Sequence, residues 1–130
     1  MSRILVTVPE LSAAAGGLAG HCEVDGRPLD FKPCSLDTPQ PTLVEYLQGY
    51  DIVVAGGEQY TADVFQGAPQ LRHVARFGVG YDAIDLRAAT AHRVVVTTTP
   101  GTNHWAVADH AFGLILAIVT IIINAWMPIT

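Results

Sequence analysis

The feature that most constrains the fold is a series of short apolar runs, rich in Val and Ile, that are separated by stretches of helical pattern. The runs that we predict to be strands are Ile4–Val8, Phe31–Cys34, Asp51–Ala55, Leu71–Arg76 and Val94–Thr97. A strand that is apolar on both faces is typical of a parallel sheet covered by helices. Strands that alternate with helices therefore predict an α/β protein with three layers, in which a parallel sheet lies between helices.

Helix signals fall between these strands. Pro41 stands where a helix can begin, and Gly49 stands where that helix should end. Asp85 is placed to cap a helix that runs to Ala91. A short helix is predicted over Thr61–Gln66. Residues 11–30 carry a weak pattern, which we interpret as a helix followed by a loop.

The longest predicted helix begins at His104, after a cap at Thr102 or Asn103, and runs to Ile123. It is apolar nearly all round, so neighbours must cover several of its sides, and we expect it to be buried. Asp109 interrupts the apolar run, which is then shorter than the roughly 20 residues of a membrane span. We therefore favour a helix that packs against a further domain or subunit over a membrane anchor.

Charge and cysteine content exclude several classes of function. The chain has 130 residues, with seven basic and twelve acidic side chains and a net charge of −5. It has no cluster of Lys or Arg that could neutralise phosphates, so we expect no nucleic-acid partner. Cys22 and Cys34 lack the spacing of metal ligands, so we predict no metal site and expect a reduced, cytoplasmic protein.

A glycine turn between a predicted strand and a predicted helix, Gly78-Val79-Gly80, admits three interpretations. It formally matches the G-x-G-x-x-A turn that binds the pyrophosphate of a dinucleotide. Asp82 and Asp85 argue against that interpretation, because they would put two carboxylates beside the pyrophosphate. Alternatively, the N–H groups of Val79 and Gly80 bind a small carboxylate, or the glycines form a tight turn without a ligand.

Several motifs in a fixed order carry a resemblance to a known family. The segment Arg76–Asp85 matches the signature R-x-G-x-G-x-D-x-[IV]-D, and Thr99–Asn103 and Ala106–His110 follow it at matching spacing. Upstream, Asp51–Val54 and Thr61–Val64 fit the same pattern. Together these motifs resemble the D-isomer-specific 2-hydroxyacid dehydrogenases, and most of all their phosphoglycerate dehydrogenase branch.

The resemblance implies a flavodoxin-like fold, that of the N-terminal catalytic (substrate-binding) domain of a two-domain dehydrogenase, with the Rossmann domain absent. We expect residues 1–119 to be a partial catalytic domain and residues 120–130 to be an atypical apolar tail. The tail departs from the family pattern after Val119. A frameshift, an early stop or an artificial truncation would explain that departure.

The resemblance also assigns roles to two sets of residues. The residues expected to bind the substrate are Gly56, Gly57, Gly78, Val79 and Gly80. In this scheme the N–H groups of Val79 and Gly80 hold the carboxylate of a small 2-hydroxy or 2-oxo acid. Thr102 and Asn103 would lie beside the nicotinamide of NAD or NADP, although Asn103 serves equally well as a plain helix cap.

The family's hydride chemistry uses an arginine, a histidine and an acid, which the resemblance places beyond residue 130. We therefore predict no catalytic residue in this chain. The expected function is that of a truncated NAD-dependent D-2-hydroxyacid dehydrogenase, inactive alone and without tight binding of NAD or NADP. The alternative is a non-enzymatic interaction module that uses the apolar helix 104–123. We expect a homo-oligomer and no membrane partner.

Overall fold

The computed structural model describes residues 2–11, 23–24 and 26–126. The chain divides into two compact units, Met1–Thr99 and Pro100–Thr130. The first unit is a sheet with three α-helices, and the second unit contains one long helix. The boundary predicted between residues 119 and 120 falls inside that helix and stays a prediction.

The sheet of the first unit has six strands among the described residues. They are β1 Ile4–Val6, β2 Glu23–Val24, β3 Arg27–Phe31, β4 Ile52–Ala55, β5 His73–Arg76 and β6 Val95–Thr97. Their order across the sheet is β2-β3-β1-β4-β5-β6. All neighbours from β3 to β6 are parallel, whereas β2 is antiparallel to β3. The parallel strands therefore follow the flavodoxin-like order, which confirms the predicted fold class.

The second predicted strand was placed too late in the sequence. It was expected at Phe31–Cys34, but β3 ends at Phe31, and the residues before it, which we interpreted as a loop, form the strand. The parallel pairing of β3 with β1 outweighs the weak local pattern there. Beyond the end of β3, the N–H groups of Lys32 and Cys34 still donate to the carbonyls of Val6 and Thr7, at 3.0 and 2.8 Å, so backbone contact with the β1 segment continues past the strand. The weak helix predicted after Leu11 falls mostly on residues 12–22, outside the described residues.

Three helices follow the predicted start and stop signals. They are α1 Gln40–Leu47, α2 Ala62–Gly67 and α3 Leu86–Ala91. Pro41 lies in the first turn of α1, and Gly49 follows its end with a φ of 81°, a conformation that favours glycine. The carboxylate of Asp85 accepts the N–H of Ala88 at 2.9 Å and caps α3, as predicted.

Alternating residues of β1 and β4 enter two different core clusters, as the pleat of a sheet requires. Leu5, Val53 and Val74 belong to the larger cluster, which also contains the buried side chains of α1, α2 and α3. Ile4 and Val6 belong to the smaller cluster on the opposite face. All three of these helices therefore pack on one face of the sheet. The helical layer predicted for the opposite face is not seen among the described residues of the first unit, so the three-layer arrangement stays a prediction.

The second unit contains α4, His104–Trp126, which begins where predicted and ends three residues beyond the predicted Ile123. The expectation that this helix is buried was wrong, because all of its residues are exposed. Both core clusters are formed by residues that precede Pro100. With 23 residues and a mean hydropathy of 2.3, α4 is long and apolar enough to cross a membrane. That is weak evidence, since helices of soluble proteins meet the same two criteria.

Candidate functional site

The Gly78 turn follows directly from the carboxyl end of β5 and has a backbone that requires glycine. Gly78 has a φ of 145°, which L side chains rarely adopt. A Cβ atom at this position would also lie 2.8 Å from Nη1 of Arg76. The Arg76 guanidinium folds back over the turn and donates to the carbonyl of Phe77. The turn can therefore keep this shape only with glycine at its first position.

Thr99, at the end of the β6 segment, fixes Gly78 by two hydrogen bonds. The N–H of Gly78 donates to Oγ1 of Thr99 at 3.1 Å, and the N–H of Thr99 donates to the carbonyl of Gly78 at 3.0 Å. Sequence reasoning did not select Thr99 as a site residue. The available signal was that adjacent parallel strands end at the same edge of a sheet.

The next two residues of the turn lie at the protein surface. Val79 and Gly80 are both exposed, and their N–H groups have no acceptor among the residues that the structure describes. Successive free N–H groups of this kind can bind an anion. The geometry therefore leaves the two predicted carboxylate-binding amides available.

The same turn does not fit a dinucleotide. A pyrophosphate-binding turn leads directly into a helix whose N-terminal amides face the phosphates. Here the glycines are followed by a further turn, in which Ile84 donates to the carbonyl of Tyr81 at 2.9 Å. Helix α3 begins only at Leu86, and the Asp85 carboxylate already occupies its N-terminus. A second anion there would meet a negative charge instead of a free amide.

A second glycine turn, Gly56-Gly57, lies at the carboxyl end of β4. Gly56 is buried, and its N–H donates to Oε1 of Glu58 at 3.2 Å. A Cβ atom on Gly56 would lie 2.9 Å from Oε2 of Glu58, whereas one on Gly57 would meet nothing within 4 Å. The Gly56 amide is thus committed within the protein, while Gly57 borders open space.

Glu58 belongs to the turn that the resemblance places along the substrate site, and the structure shows it to be a fully buried acid. Its Oε1 accepts the hydroxyl of Tyr60 at 3.0 Å and contacts the hydroxyl of Thr7, whereas Oε2 has no hydrogen-bond partner among the described residues. Burial, and then the nearby Glu58 carboxylate, raise the pKa of Tyr60 well above its usual value. The same two causes raise the pKa of the Cys34 thiol to about 11. The signal for Glu58 in the sequence was an acid that follows a buried strand.

Backbone hydrogen bonds join the two turns. Tyr60 donates its N–H to the carbonyl of Ala83 at 2.8 Å and accepts the N–H of Asp85 at 2.9 Å. Phe77 donates its N–H to the carbonyl of Ala55 at 2.9 Å. The structure therefore brings the five predicted substrate-binding glycine-turn residues to one edge of the sheet, outside the carboxyl ends of adjacent parallel strands, where ligands of α/β proteins bind.

The two residues predicted to contact the nicotinamide belong to the second unit. The carbonyl of Asn103 accepts the N–H of Val107 at 3.0 Å, so Asn103 is at the N-cap position of α4. This position agrees with the helix-cap interpretation. The cofactor-contact interpretation of Thr102 and Asn103 stays a prediction.

Comparison with protein families decides the ancestry of the fold. A family model described as the D-isomer specific 2-hydroxyacid dehydrogenase catalytic domain matches residues 10–125. The chain belongs to this family. The match runs to residue 125, and the departure from the family pattern after Val119 stays a prediction.

Two dehydrogenases of the family show how much of a relative's length the chain matches. The chain is 43% identical over 82 residues to a glyoxylate reductase of Pyrococcus furiosus, a match that covers 62% of this chain and 24% of that protein. It is 44% identical over 76 residues to a D-3-phosphoglycerate dehydrogenase of Archaeoglobus fulgidus, covering 58% of this chain and 14% of that protein. The chain therefore spans at most about a quarter of the length of these two relatives.

A solved structure gives the same result for the fold. The NAD⁺-bound 3-phosphoglycerate dehydrogenase of Entamoeba histolytica superposes with a TM-score of 0.74 at 23% identity. The superposition covers 88% of this chain and 38% of that one. At this identity the likeness establishes the fold, and it does not establish the substrate.

Proposed function

We propose that the chain carries the substrate-binding part of a D-2-hydroxyacid dehydrogenase. In this proposal the carboxylate of a small 2-hydroxy or 2-oxo acid binds to the N–H groups of Val79 and Gly80. The observation that carries the proposal is the Gly78 turn, whose shape requires glycine and whose next two amides are exposed and unpaired within the described chain. Family membership supplies the reaction class.

The second turn contributes through Gly57 in this proposal. The resemblance assigned both Gly56 and Gly57 to the substrate, but the Gly56 amide is bound to Glu58. Gly57 borders open space on the same edge of the sheet. We therefore assign to Gly57 any amide contact from this turn, and to Gly56 the role of shaping it.

The two named relatives favour a small acid as the substrate. One is a glyoxylate reductase and the other a D-3-phosphoglycerate dehydrogenase. Glyoxylate and 3-phosphoglycerate both carry a carboxylate next to the carbon that is oxidised or reduced. A turn that binds this carboxylate suits either acid, so the proposal names the shared group.

NAD or NADP would supply or accept the hydride in the whole enzyme. The Gly78 turn does not fit a dinucleotide, so in this chain only Thr102 and Asn103 are assigned to the nicotinamide. We expect the 130 residues to bind neither cofactor tightly. We also expect no turnover, because no residue of this chain is assigned the role of the family's arginine, histidine or orienting acid. The proposed location is the cytoplasm.

Ligand-observed saturation-transfer NMR with glycolate tests this proposal directly. Glycolate is a stable 2-hydroxy acid, and glycolamide is a matched control that replaces the carboxylate with a neutral amide. We expect weak, saturable binding of glycolate and none of glycolamide, since the amides of the turn select a negative charge. Equal binding of the two compounds, or of neither, would contradict the proposal.

An assay of NADH oxidation with glyoxylate tests the expected inactivity. The 130-residue chain should give the rate of a blank without protein. Steady oxidation that requires both glyoxylate and the chain would overturn that expectation. It would also mean that residues within the chain perform the acid–base step.

The second candidate function is an interaction module, which α4 favours. Large apolar side chains of this helix are exposed, among them Phe112, Ile115, Ile118 and Ile122, which follow one another at spacings of three or four residues. An apolar surface of this kind marks an interaction site. We infer that the partner is a second copy of the chain. A dimer or higher oligomer by size-exclusion chromatography with light scattering would support this inference, and a monomer at all concentrations would contradict it.

A further inference from the structure

The burial of Glu58 is not explained by a contribution of this residue to the stability of the fold. Its side chain is fully excluded from solvent, and Oε2 has no hydrogen-bond partner among the described residues. Glu58 forms no ion pair with any of the described residues, whereas Asp30, for example, pairs with Arg3. A buried acid without a compensating cation opposes folding. Such a residue is expected to be retained for what it does to its surroundings.

The contacts of Oε1 connect Glu58 to both candidate turns. One is direct, because the N–H of Gly56 donates to Oε1 at 3.2 Å. The other passes through Tyr60, whose hydroxyl donates to Oε1 at 3.0 Å and whose backbone pairs with Ala83 and Asp85. Ala83 and Asp85 close the segment that the Gly78 turn begins. A single carboxylate oxygen thus accepts from the Gly56–Gly57 turn and from Tyr60, the residue that fixes the end of the segment begun by the Gly78 turn.

The surroundings of Gly56 show how closely Glu58 packs against the Gly56–Gly57 turn. A Cβ atom there would approach Oε2 to 2.9 Å and the backbone of Val8 to 3.8 Å. The turn therefore has no room for a side chain while the carboxylate keeps its place. The hydroxyl of Thr7, which directly follows β1, contacts Oε1 of Glu58 and lies 3.0 Å from the carbonyl of Val54, so its single proton is donated to one of these two oxygens at a time.

We propose that Glu58 is a positioning residue, which sets the relative geometry of the Gly56–Gly57 and Gly78–Gly80 turns so that their free amides converge on one carboxylate. This inference rests on the proposed function. Glu58 does not touch the substrate. It binds the Gly56 amide inward, which leaves Gly57 to face the ligand, and it anchors Tyr60, which fixes the end of the Val79–Gly80 segment.

Two substitutions separate positioning from stability. Glu58→Met keeps the length of the side chain but removes both acceptor oxygens, whereas Glu58→Gln keeps an oxygen that can accept from Gly56 and Tyr60. We expect Glu58→Met to weaken glycolate binding about fivefold, the scale of one lost hydrogen bond, and Glu58→Gln to change it less than about twofold. The readouts are the glycolate dissociation constant by saturation-transfer NMR and the melting temperature, both on the full chain.

A third substitution keeps the test decisive if Glu58→Met does not fold. Tyr60→Phe removes only the hydroxyl that joins Tyr60 to Oε1, and it keeps the ring in the core. We expect weaker glycolate binding, with faster hydrogen exchange in the peptide that covers residues 78–85 and unchanged exchange in α1. A purely structural role would lower the melting temperature of these variants without changing the dissociation constant of the folded protein.

The outcomes distinguish this inference from the proposed function. If the wild-type chain does not bind glycolate, the proposed function fails and the inference fails with it. If the wild-type chain binds glycolate and both Glu58→Met and Tyr60→Phe bind it equally well, the inference alone is overturned. Weaker binding by either folded variant, with binding retained in Glu58→Gln, supports it.

Discussion

Gly78 and Thr99 form a reciprocal pair of hydrogen bonds. The Gly78 N–H donates to the Thr99 hydroxyl at 3.1 Å, and the Thr99 N–H donates to the Gly78 carbonyl at 3.0 Å. The pair joins the turn after β5 to the end of the β6 segment. It occupies both backbone groups of Gly78, so the amides that remain for a ligand are those of Val79 and Gly80. The proposed carboxylate site would therefore depend on a residue that lies outside the glycine signature.

Replacing Gly78 by Ala should abolish most of the carboxylate binding. Alanine at a φ of 145° is strained, by about 1–3 kcal/mol in typical cases, and its Cβ would collide with Arg76. The turn must change shape to relieve this strain, and the next two amides move with it. Gly26→Ala is the matched control, because Gly26 also has a positive φ, of 70°, but lies in the hairpin at the β2 edge of the sheet. Glycolate affinity should fall in Gly78→Ala and persist in Gly26→Ala; equal affinities would refute the assignment.

Replacing Thr99 by Val should weaken glycolate binding with a smaller effect on folding. Valine has nearly the shape of threonine but offers no oxygen to the Gly78 N–H, a loss of about 0.5–1.5 kcal/mol. Thr99→Ser keeps the hydroxyl and should bind as the wild type does. The measurement is the glycolate dissociation constant of the three proteins. If the serine and valine variants lose affinity equally, the hydroxyl is not what holds the turn.

The sequence predicted those parts of the fold that depend on local signals. Asp85 caps α3 and Gly49 ends α1 because both effects act within one turn of helix. The start of β3 at Arg27 was missed because that strand depends on its neighbours: Arg27 pairs with Val24 of β2, and Leu29, Asp30 and Phe31 pair with β1. Burial of α4 was predicted wrongly because an apolar pattern indicates that a helix needs packing partners, but it does not show that the chain contains them.

Local signals also decided which residues of the candidate site could be predicted. The Gly78-Val79-Gly80 turn is a local motif, so its residues could be selected from the sequence. The contacts that give Glu58 and Thr99 their roles, with Thr7 and with Gly78, join separate strands, so only the positions of these residues near strand ends could point to them. Gly56 was assigned to the substrate, yet its amide binds Glu58, a residue only two positions further along the chain.

Gly67→Ala should destabilise the first unit. A Cβ atom on Gly67 would lie 2.6 Å from Cγ1 of Val44, across the contact between α2 and α1. Crowding of this kind typically costs about 1–3 kcal/mol. Urea denaturation should show a lower midpoint for Gly67→Ala, and the double variant Gly67→Ala/Val44→Ala should recover part of that loss. If the double variant loses more free energy of unfolding than the two single variants lose together, the account is contradicted. Gly113→Ala, with open space around its Cβ, is a control for the substitution itself.

Stability should decline in alkaline solution because of Cys34. Its pKa is raised from 9.0 to about 11 by burial and then by the nearby Glu58 carboxylate. As the pH rises, the thiol therefore ionises in the unfolded chain before it ionises in the folded one. The contribution of Cys34 to the free energy of unfolding is complete below the unfolded pKa and is lost as the pH rises through the folded pKa. The pKa of Tyr60 is raised in the same direction.

The comparison that isolates Cys34 is a pair of urea titrations at about pH 8 and about pH 10, on the wild type and on Cys34→Ala. The free energy of unfolding should fall between the two pH values by more in the wild type than in the variant. Cys22 is present in both proteins, so its ionisation cancels in the comparison. An equal fall in both proteins would show that Cys34 is not the titrating group.

The most direct test of the central claim is the amide NMR spectrum of the chain during a titration with glycolate. If the Gly78 turn binds the substrate carboxylate, the N–H protons of Val79 and Gly80 should shift downfield in a saturable way, since each would donate a hydrogen bond to an anion. Glycolamide should leave both signals in place. Shifts confined to other parts of the chain, or equal shifts with glycolamide, would show that this turn is not the carboxylate site.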